Sequence, residues 1–504
     1  MSNKLDKNLV ENIVGLTPLQ EGMLFHHLFT TESDDYKVQL SIEFCGVVSV
    51  PSIKNAWYQI IQDNALFRTV FRWENIQSPI QVVLKEVPDA IEIVNLRNFE
   101  KNEQIYELAQ LRKKILNEKF QLENIPYRIH ICLLDETKFE MILTNHHILF
   151  DGWSTGIIVK EFLTRYNDLQ KGKSIQPLKK KGFDTFIKAI RNADKIKQNA
   201  YWTQVLEGYE KKLLIPKSSN NLQALEKHGT YKSFINEELF LGLDQLSKEH
   251  NVTFSTLIYT AWGILLKKLS LTNDVLFGTT VSGRNIPLQG IEEMVGLFIN
   301  TLPMRVSSNK QTTILQLLAD VQTQLINSGS FSSTALVDIN QILNIKAQAP
   351  FESIVVIENY PLDTLVNKND LLKITNVYEQ NASNFDIALV VQPYDNSVLF
   401  KFNGNLFNEE FIMAINDAFI YILTQIFHNP SQNINNLKVL PAEKSQLLIQ
   451  ELNPSYLLVE SKQTIIDLFS SQIRSCRNSI VIKEKNNYIT YNELDQCSNQ
   501  LAHF

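Results

Sequence analysis

Cysteine is scarce in this chain: Cys45, Cys132, Cys476 and Cys497 are the four thiols in 504 residues, and no Cys-x-x-Cys pair is present. Such scattered positions read as buried or incidental thiols of a reducing compartment. No run approaches the ~20 consecutive apolar residues that a bilayer-spanning helix needs. The opening residues, Met1-Ser-Asn-Lys-Leu-Asp-Lys, mix charges and lack the apolar centre of a signal peptide, so the cytoplasm is the expected location. Basic excess is missing as well. A net charge of −6 argues against a nucleic-acid scaffold, which carries a basic face. Neither His-Glu-x-x-His nor Gly-x-Ser-x-Gly occurs, which disfavours a zinc hydrolase and a serine hydrolase. No internal repeat is detectable. What remains is an ordinary globular composition, 44% hydrophobic and 20% charged, on a chain long enough for two or three compact units.

Hydrophobic spacing alternates between the two regular periods. Val38 to Val48, Phe139 to Leu143, Asp274 to Phe277 and Ser353 to Ile357 read as strands. Ser52 to Asp63, Lys101 to Glu118, Gly156 to Gln170 and Phe254 to Leu269 read as helices. The mixture predicts an α/β or α+β fold. A polar, lysine-rich connection from Lys171 to Lys181 separates two halves. Leu5, Leu9, Val10, Ile13 and Val14 would form one stripe of a short N-terminal helix, or else belong to a frayed leader.

The densest chemistry lies in Leu143-Thr-Asn-His-His-Ile-Leu-Phe-Asp-Gly-Trp-Ser154. A strand-like run ends at two histidines, and an aspartate and a glycine follow before a helix. Neighbouring side chains on a strand point to opposite faces, so one of His146 and His147 faces a channel and the other a core or structural partner. An imidazole, with a reference pKa of ~6.5, suits proton transfer near neutrality.

The pattern His-His-x-x-x-Asp-Gly resembles the condensation domains of nonribosomal peptide synthetases, and further matches follow in the family's order. Leu16-Thr-Pro-Leu-Gln-Glu-Gly-Met-Leu-Phe-His26 resembles the opening motif. Leu66-Phe-Arg-Thr-Val-Phe71 matches the end of the second, with the family's preceding charged residues replaced at Asp63 to Ala65. Phe183-Asp-Thr-Phe186 resembles the fourth, although its closing aromatic is Ala189 here. Val281-Ser-Gly-Arg284 and Val295-Gly-Leu-Phe-Ile-Asn-Thr301 are close to later motifs; Pro350-Phe-Glu352 and Ser383-Asn-Phe-Asp386 match more loosely.

The resemblance implies two lobes, each like a chloramphenicol acetyltransferase subunit, meeting in a V-shaped pseudo-dimer around a central channel. The N-lobe is expected over 16–178 and the C-lobe over 179–450. Residues 1–15 are a candidate docking segment for an upstream synthetase. Residues 451–504 resemble a linker and the truncated start of an adenylation domain, on Gln463-Thr-Ile-Ile-Asp-Leu-Phe469 and Tyr488-Ile-Thr-Tyr-Asn-Glu-Leu494. No Gly-Gly-x-Ser attachment motif is present, so both thioester substrates are expected on the phosphopantetheine arms of partner peptidyl carrier domains, with no cofactor bound covalently to this chain and no metal. No nucleic acid and no membrane is expected among the partners.

The implied reaction joins a donor acyl thioester to the amine of an acceptor aminoacyl thioester. His147 carries over as the catalytic residue, as proton acceptor or as positioner of the amine. Asp151 is a second base or, on the family's pattern, an ion pair with Arg284 that clamps the motif loop across the lobe junction. His146 reads as structural, and Gly152 as a point of close backbone approach that offers an amide to the oxyanion. Trp153, Ser154, Asn300, Thr301, Ser383 and Asn384 are channel candidates. His26 and His27 read as helix packing. Cyclising relatives replace the histidine pair, and epimerising ones continue with Ser-Trp-Arg, so both are disfavoured by this sequence. A non-catalytic recruitment module is the alternative from another class. Thr17-Pro-Leu-Gln-Glu-Gly-Met23 resembles domains that take a donor ending in a D-residue, with an L-donor domain as runner-up.

Overall fold

Alternation fails where a strand is covered on both faces, and Lys138–His146 is such a strand: every residue after Lys138 is buried. Phe139, Met141 and Leu143 join a cluster with Trp57, Phe67 and Phe162 on one side. Ile142 meets Leu96, Leu108 and Ile115 on the other. This strand lies at the centre of the N-terminal sheet. The computed structural model describes residues 6–29, 36–174, 176–178, 180–217, 228–345, 349–358, 371–381, 385–452, 464–485 and 487–504.

The N-terminal half holds β1 (Val10–Gly15), β2 (Lys37–Gly46), β3 (Thr69–Arg72), β4 (Ile80–Leu84), β5 (Ile91–Asn95), β6 (Tyr127–Leu133) and β7 (Lys138–His146). The C-terminal half adds β8 (His228–Phe234), β9 (Asp274–Val281), β10 (Asn300–Ser307), β11 (Ser353–Ile357), β12 (Leu372–Asn381), β13 (Ile387–Gln392) and β14 (Ser397–Asn403). They form a three-stranded sheet β1-β4-β3, a five-stranded sheet β12-β2-β7-β6-β5 and a six-stranded sheet β10-β9-β11-β13-β14-β8.

Helices α1 (Pro18–Phe29), α2 (Val50–Asp63), α3 (Lys101–Asn117) and α4 (Gly152–Gln170) belong to the first half. In α2 the buried residues Ile53, Ala56, Trp57, Ile60 and Ile61 recur at helical spacing, so one face docks on the sheet and the rest stays polar. Helices α5 (Phe183–Arg191) and α6 (Lys195–Leu206) follow the lysine-rich connection. The second lobe carries α7 (Glu237–Glu249), α8 (Phe254–Ser270), α9 (Ile314–Gly329), α10 (Leu336–Ile342) and α11 (Glu409–His428). Its core gathers Trp262, Phe277, Val355, Leu389, Phe400 and Phe419.

Two expectations need correction. The N-terminal apolar rhythm is not a helix: Val10, Ile13 and Val14 lie in β1, which pairs with β4. β-branched residues with a free ladder beside them take the strand, and tertiary pairing outweighs the spacing; Leu5 lies outside the described residues. The division at 178 is not clean either. Strand β12, from the second half, pairs with β2 and completes the N-terminal sheet, and Ile291, Met294, Val295, Leu297 and Phe298 pack into the N-terminal core. Helix α11 is long and apolar enough to cross a membrane by length and composition, although polar residues interrupt its apolar run. Here Ile412, Phe419, Ile422, Leu423 and Ile426 are wholly buried in the second core.

The first compact unit closes at Val439, ahead of the expected boundary at 450. The second unit, Leu440–Phe504, holds α12 (Ala442–Leu452), α13 (Ile465–Cys476), the antiparallel pair β15 (Ile480–Glu484) and β16 (Asn487–Thr490), and α14 (Tyr491–His503). Capping boxes at Thr464 with Asp467 and Thr490 with Glu493 start its last two helices, and no residue of its three helices is buried.

Candidate active site

Strand β7 delivers the histidine pair, and the turn from Ile148 to Phe150 leads into α4. His146, the last strand residue, is 3% exposed. Its Nδ1 accepts a hydrogen bond from the Ile148 amide at 3.2 Å, and its ring meets His27 edge-on, 5.3 Å between centroids. Burial above all, then His27, His147 and Lys37, holds its pKa well below the ordinary imidazole value. It is a neutral structural side chain. His27, expected to serve helix packing, is therefore a neighbour of the motif, while His26 is exposed.

His147 is half-buried and fixed at both ends. Its amide donates to Tyr36 O at 2.7 Å, and its ring Nδ1 lies 3.0 Å from Phe150 O. A carbonyl only accepts, so Nδ1 carries the hydrogen and Nε2 holds the lone pair. Burial lowers its pKa, while Asp151 opposes the shift. The turn thus presents a neutral imidazole with Nε2 available to take a proton.

Asp151 caps α4. One carboxylate oxygen accepts from the Ser154 amide at 2.9 Å, and the other accepts from the Phe298 and Ile299 amides at 2.9 and 3.2 Å. Its own amide donates to Gly296 O. Arg284 Nη2 lies 3.6 Å from Asp151 Oδ1, both side chains almost wholly enclosed. With its oxygens engaged this way, Asp151 ties the start of α4 to the Phe298–Ile299 segment and to Arg284. Arg284 donates to Ile291 O, to Met294 O at 3.0 Å and to Ser154 Oγ at 3.0 Å, with its guanidinium 3.9 Å from the centre of the Phe298 ring.

Ser154, expected to line the channel, has no exposed surface. Its hydroxyl donates to Gly296 O at 2.8 Å and accepts from Gly296 N and Arg284. Position N3 of a helix capped by Asp151 turns this side chain inward. Gly152 is the first residue of α4, and Trp153 is half-buried with Nε1 3.4 Å from Glu292 O. Asn300 is buried at the start of β10 and donates to Ser332 O and Thr334 O at 2.8 and 2.7 Å; Thr301 donates its amide to Asn300 Oδ1. These are strand and loop bonds. Ser383 and Asn384 lie outside the described residues.

Two glycines make the junction close enough. Gly283 has φ +64°, and a Cβ there would stand 1.8 Å from Phe298 O. A Cβ on Gly296 would strike the Phe183 ring at 2.2 Å. Phe183 and Phe186 of α5 pack against Phe298, with centroids 5.0 and 4.6 Å away. The sequence marked these residues as motif members without saying what they touch.

A sequence model of the condensation domain matches residues 10–449. The chain belongs to the condensation domain family. It is 32% identical over 508 residues to tyrocidine synthase 2 of Brevibacillus parabrevis, covering 99% of this chain and 14% of that protein. Gramicidin S synthase 2 of Brevibacillus brevis is 30% identical over 506 residues, covering 99% of this chain and 11% of the relative. This condensation domain therefore spans a small part of the curated relatives it matches. Among solved structures, a four-domain nonribosomal peptide synthetase has a TM-score of 0.76 at 18% identity, over 100% of this chain and 40% of that one. The first condensation domain of the calcium-dependent antibiotic synthetase, in complex with a substrate analogue, has a TM-score of 0.70 at 14% identity, over 86% of this chain and 100% of that one. The fold is the two-lobed, chloramphenicol-acetyltransferase-like one of condensation domains, which are amide-forming acyltransferases of nonribosomal peptide synthesis.

Proposed function

We propose that this condensation domain joins a donor acyl or peptidyl thioester to the amine of an acceptor aminoacyl thioester, both carried on phosphopantetheine arms of peptidyl carrier domains. The observation that carries the reading is the bond from His147 Nδ1 to Phe150 O, which leaves the Nε2 lone pair as proton acceptor. The acceptor nitrogen attacks the donor carbonyl, a C–N bond forms, and the C–S bond breaks as the thiolate leaves. His147 takes the proton that the nitrogen must shed and returns it to the departing sulfur. General base assistance of this kind contributes about 10²–10⁴-fold, and holding two tethered reactants together supplies much of the rest.

The finer reading has four parts. The donor ends in a D-residue, on the resemblance of Thr17 to Met23. Residues 1–15 dock an upstream synthetase. Residues 451–504 are a linker and the opening of an adenylation domain, and the chain works in the cytoplasm with no group bound covalently to it.

A single-turnover mass-spectrometric assay tests this, with carrier-bound D and L donors, an aminoacyl-pantetheine acceptor, and His147→Ala alongside. Amide from the D donor alone, lost in the variant, is the expected result. Product from the L donor overturns the stereochemical reading and keeps the class. A full rate in His147→Ala removes His147 from the mechanism. Carrier binding without product from either donor points to a recruitment module.

A further inference from the structure

The last turn of α8 borders a cleft of the second lobe. Ile264, Lys267, Lys268 and Leu271 recur at helical spacing, so they share one face of the helix and its cap. That face, the following residues Thr272 and Asn273, and the turn at Asn435 line a cleft of about 200 Å³. It shares no residue with the junction around Asp151, Ser154 and Arg284.

Two lysines at the end of a helix ordinarily answer the partial negative charge of its last carbonyls. Lys268 fits that account. Its Nζ donates to Asn435 O at 3.0 Å and ties α8 to the short turn Ile434–Asn436. Lys267 does not fit it. This side chain lines the cleft and is 8% exposed, and its ammonium makes no hydrogen bond among the described residues. The acid nearest to it in sequence, Asp274, is already engaged: Arg305 donates to both carboxylate oxygens, at 2.9 and 2.8 Å. Burial brings the Lys267 pKa down to about 8, with Lys268 pushing the same way and Asp274 opposing. At neutral pH the group therefore keeps its charge. A buried ammonium is costly without an anion beside it. The cleft has room for one, since a water molecule takes up only about 30 Å³ of liquid. Asn273, exposed at the rim, adds a side-chain amide as a further donor.

We propose that the cleft at the end of α8 binds a small dianion of the phosphate class, held by Lys267 from within and by Lys268 and Asn273 at the rim. Rotation about the end of the flexible Lys267 stem presents the ammonium to the occupant. Two ammonium groups match two negative charges. A ligand seated there pins the last turn of α8 to the turn that precedes Val439, where the first compact unit closes. Its chemistry is that of free inorganic phosphate or of a phosphate monoester.

The test is thermal unfolding of the full chain at neutral pH in inorganic phosphate, glycerol 3-phosphate or chloride at matched ionic strength, with titration calorimetry for the dissociation constants. The wild type is compared with Lys267→Met, Lys267→Gln, Lys268→Met and Lys113→Met, the last an exposed lysine of α3 that serves as a charge-matched control. The wild type is expected to melt higher in phosphate than in chloride, by an amount that grows with phosphate concentration. Both Lys267 variants remove a buried charge and keep most of the stem. Each is expected to weaken phosphate binding roughly 10- to 100-fold, the range of a hydrogen bond to a charged group. Lys268→Met weakens it less, and Lys113→Met leaves it unchanged. Glycerol 3-phosphate binding as tightly as inorganic phosphate assigns the site to an ester, and binding of inorganic phosphate alone assigns it to the free ion. Equal melting of the wild type in phosphate and chloride, with no heat of binding, overturns the proposal. So does phosphate binding that is undiminished in both Lys267 variants, which places the ion on the general surface.

Discussion

Ser154 and Gly296 are bonded to each other twice: the serine hydroxyl donates to the glycine carbonyl at 2.8 Å and accepts from the glycine amide at 3.0 Å. One side chain on α4 thereby fixes both faces of a single peptide residue in the crossing segment. The same oxygen accepts from Arg284 as well.

Ser154→Ala is therefore expected to leave the Gly296 amide and one guanidinium N–H buried without a partner. The cost is about 2–3 kcal/mol, since an unsatisfied buried donor costs about 1–3 kcal/mol. Urea denaturation checks this as a lower midpoint at unchanged slope. An unchanged midpoint would mean that the hydroxyl bonds contribute nothing net.

Gly283→Ala meets two obstacles, a left-handed backbone and the Phe298 carbonyl. Holding a non-glycine residue there costs about 1–3 kcal/mol, and any shift of Phe298 also loosens its amide from Asp151. The expected outcome is a lower melting temperature with a parallel loss of amide formation. A Cβ on Gly15 would meet only the guanidinium end of the exposed Arg191 side chain, which can turn aside, so Gly15→Ala is a milder comparison.

Asp151 and Arg284 share Ser154 and each other, so their losses are coupled. A double-mutant cycle with Asp151→Asn and Arg284→Met is expected to give an interaction energy of about 0.5–3 kcal/mol. Simple additivity would argue that the 3.6 Å contact is incidental.

His146 predicts a pH dependence of stability. Its pKa in the folded chain is depressed, so the unfolded chain takes up a proton first as pH falls below the ordinary value of ~6.5. Stability is complete above that value and is lost on acidification, by at most about 1.4 kcal/mol per pH unit for one proton. Melting temperatures measured on the acid side should fall less steeply in His146→Asn. Equal slopes would assign the loss to other groups.

Much of this architecture was legible because its signals are local. The helical rhythm of Ile53 to Ile61 and the strand at Ser353–Ile357 depend on near neighbours, and both stand where spacing puts them. The histidine pair was legible too, since a strand end and a helix cap flank it. The destination of each side chain was not. Ser154 reads as an exposed polar residue beside a channel until the segment around Gly296, far along the chain, folds over it. Val10 to Val14 read as a helical stripe because the strand that captures them lies at Ile80–Leu84.

The completion of the N-terminal sheet by β12 has a consequence for anyone who would dissect this protein. A fragment ended after the lysine-rich connection leaves β2 with a row of unsatisfied amides and carbonyls from Val38 to Gly46, where Asn381 to Leu372 should pair. Such a bare ladder invites another copy of the fragment to fill it. The halves are better regarded as mutual chaperones than as separable parts, and expressing them together should rescue from precipitation what expressing either one alone loses.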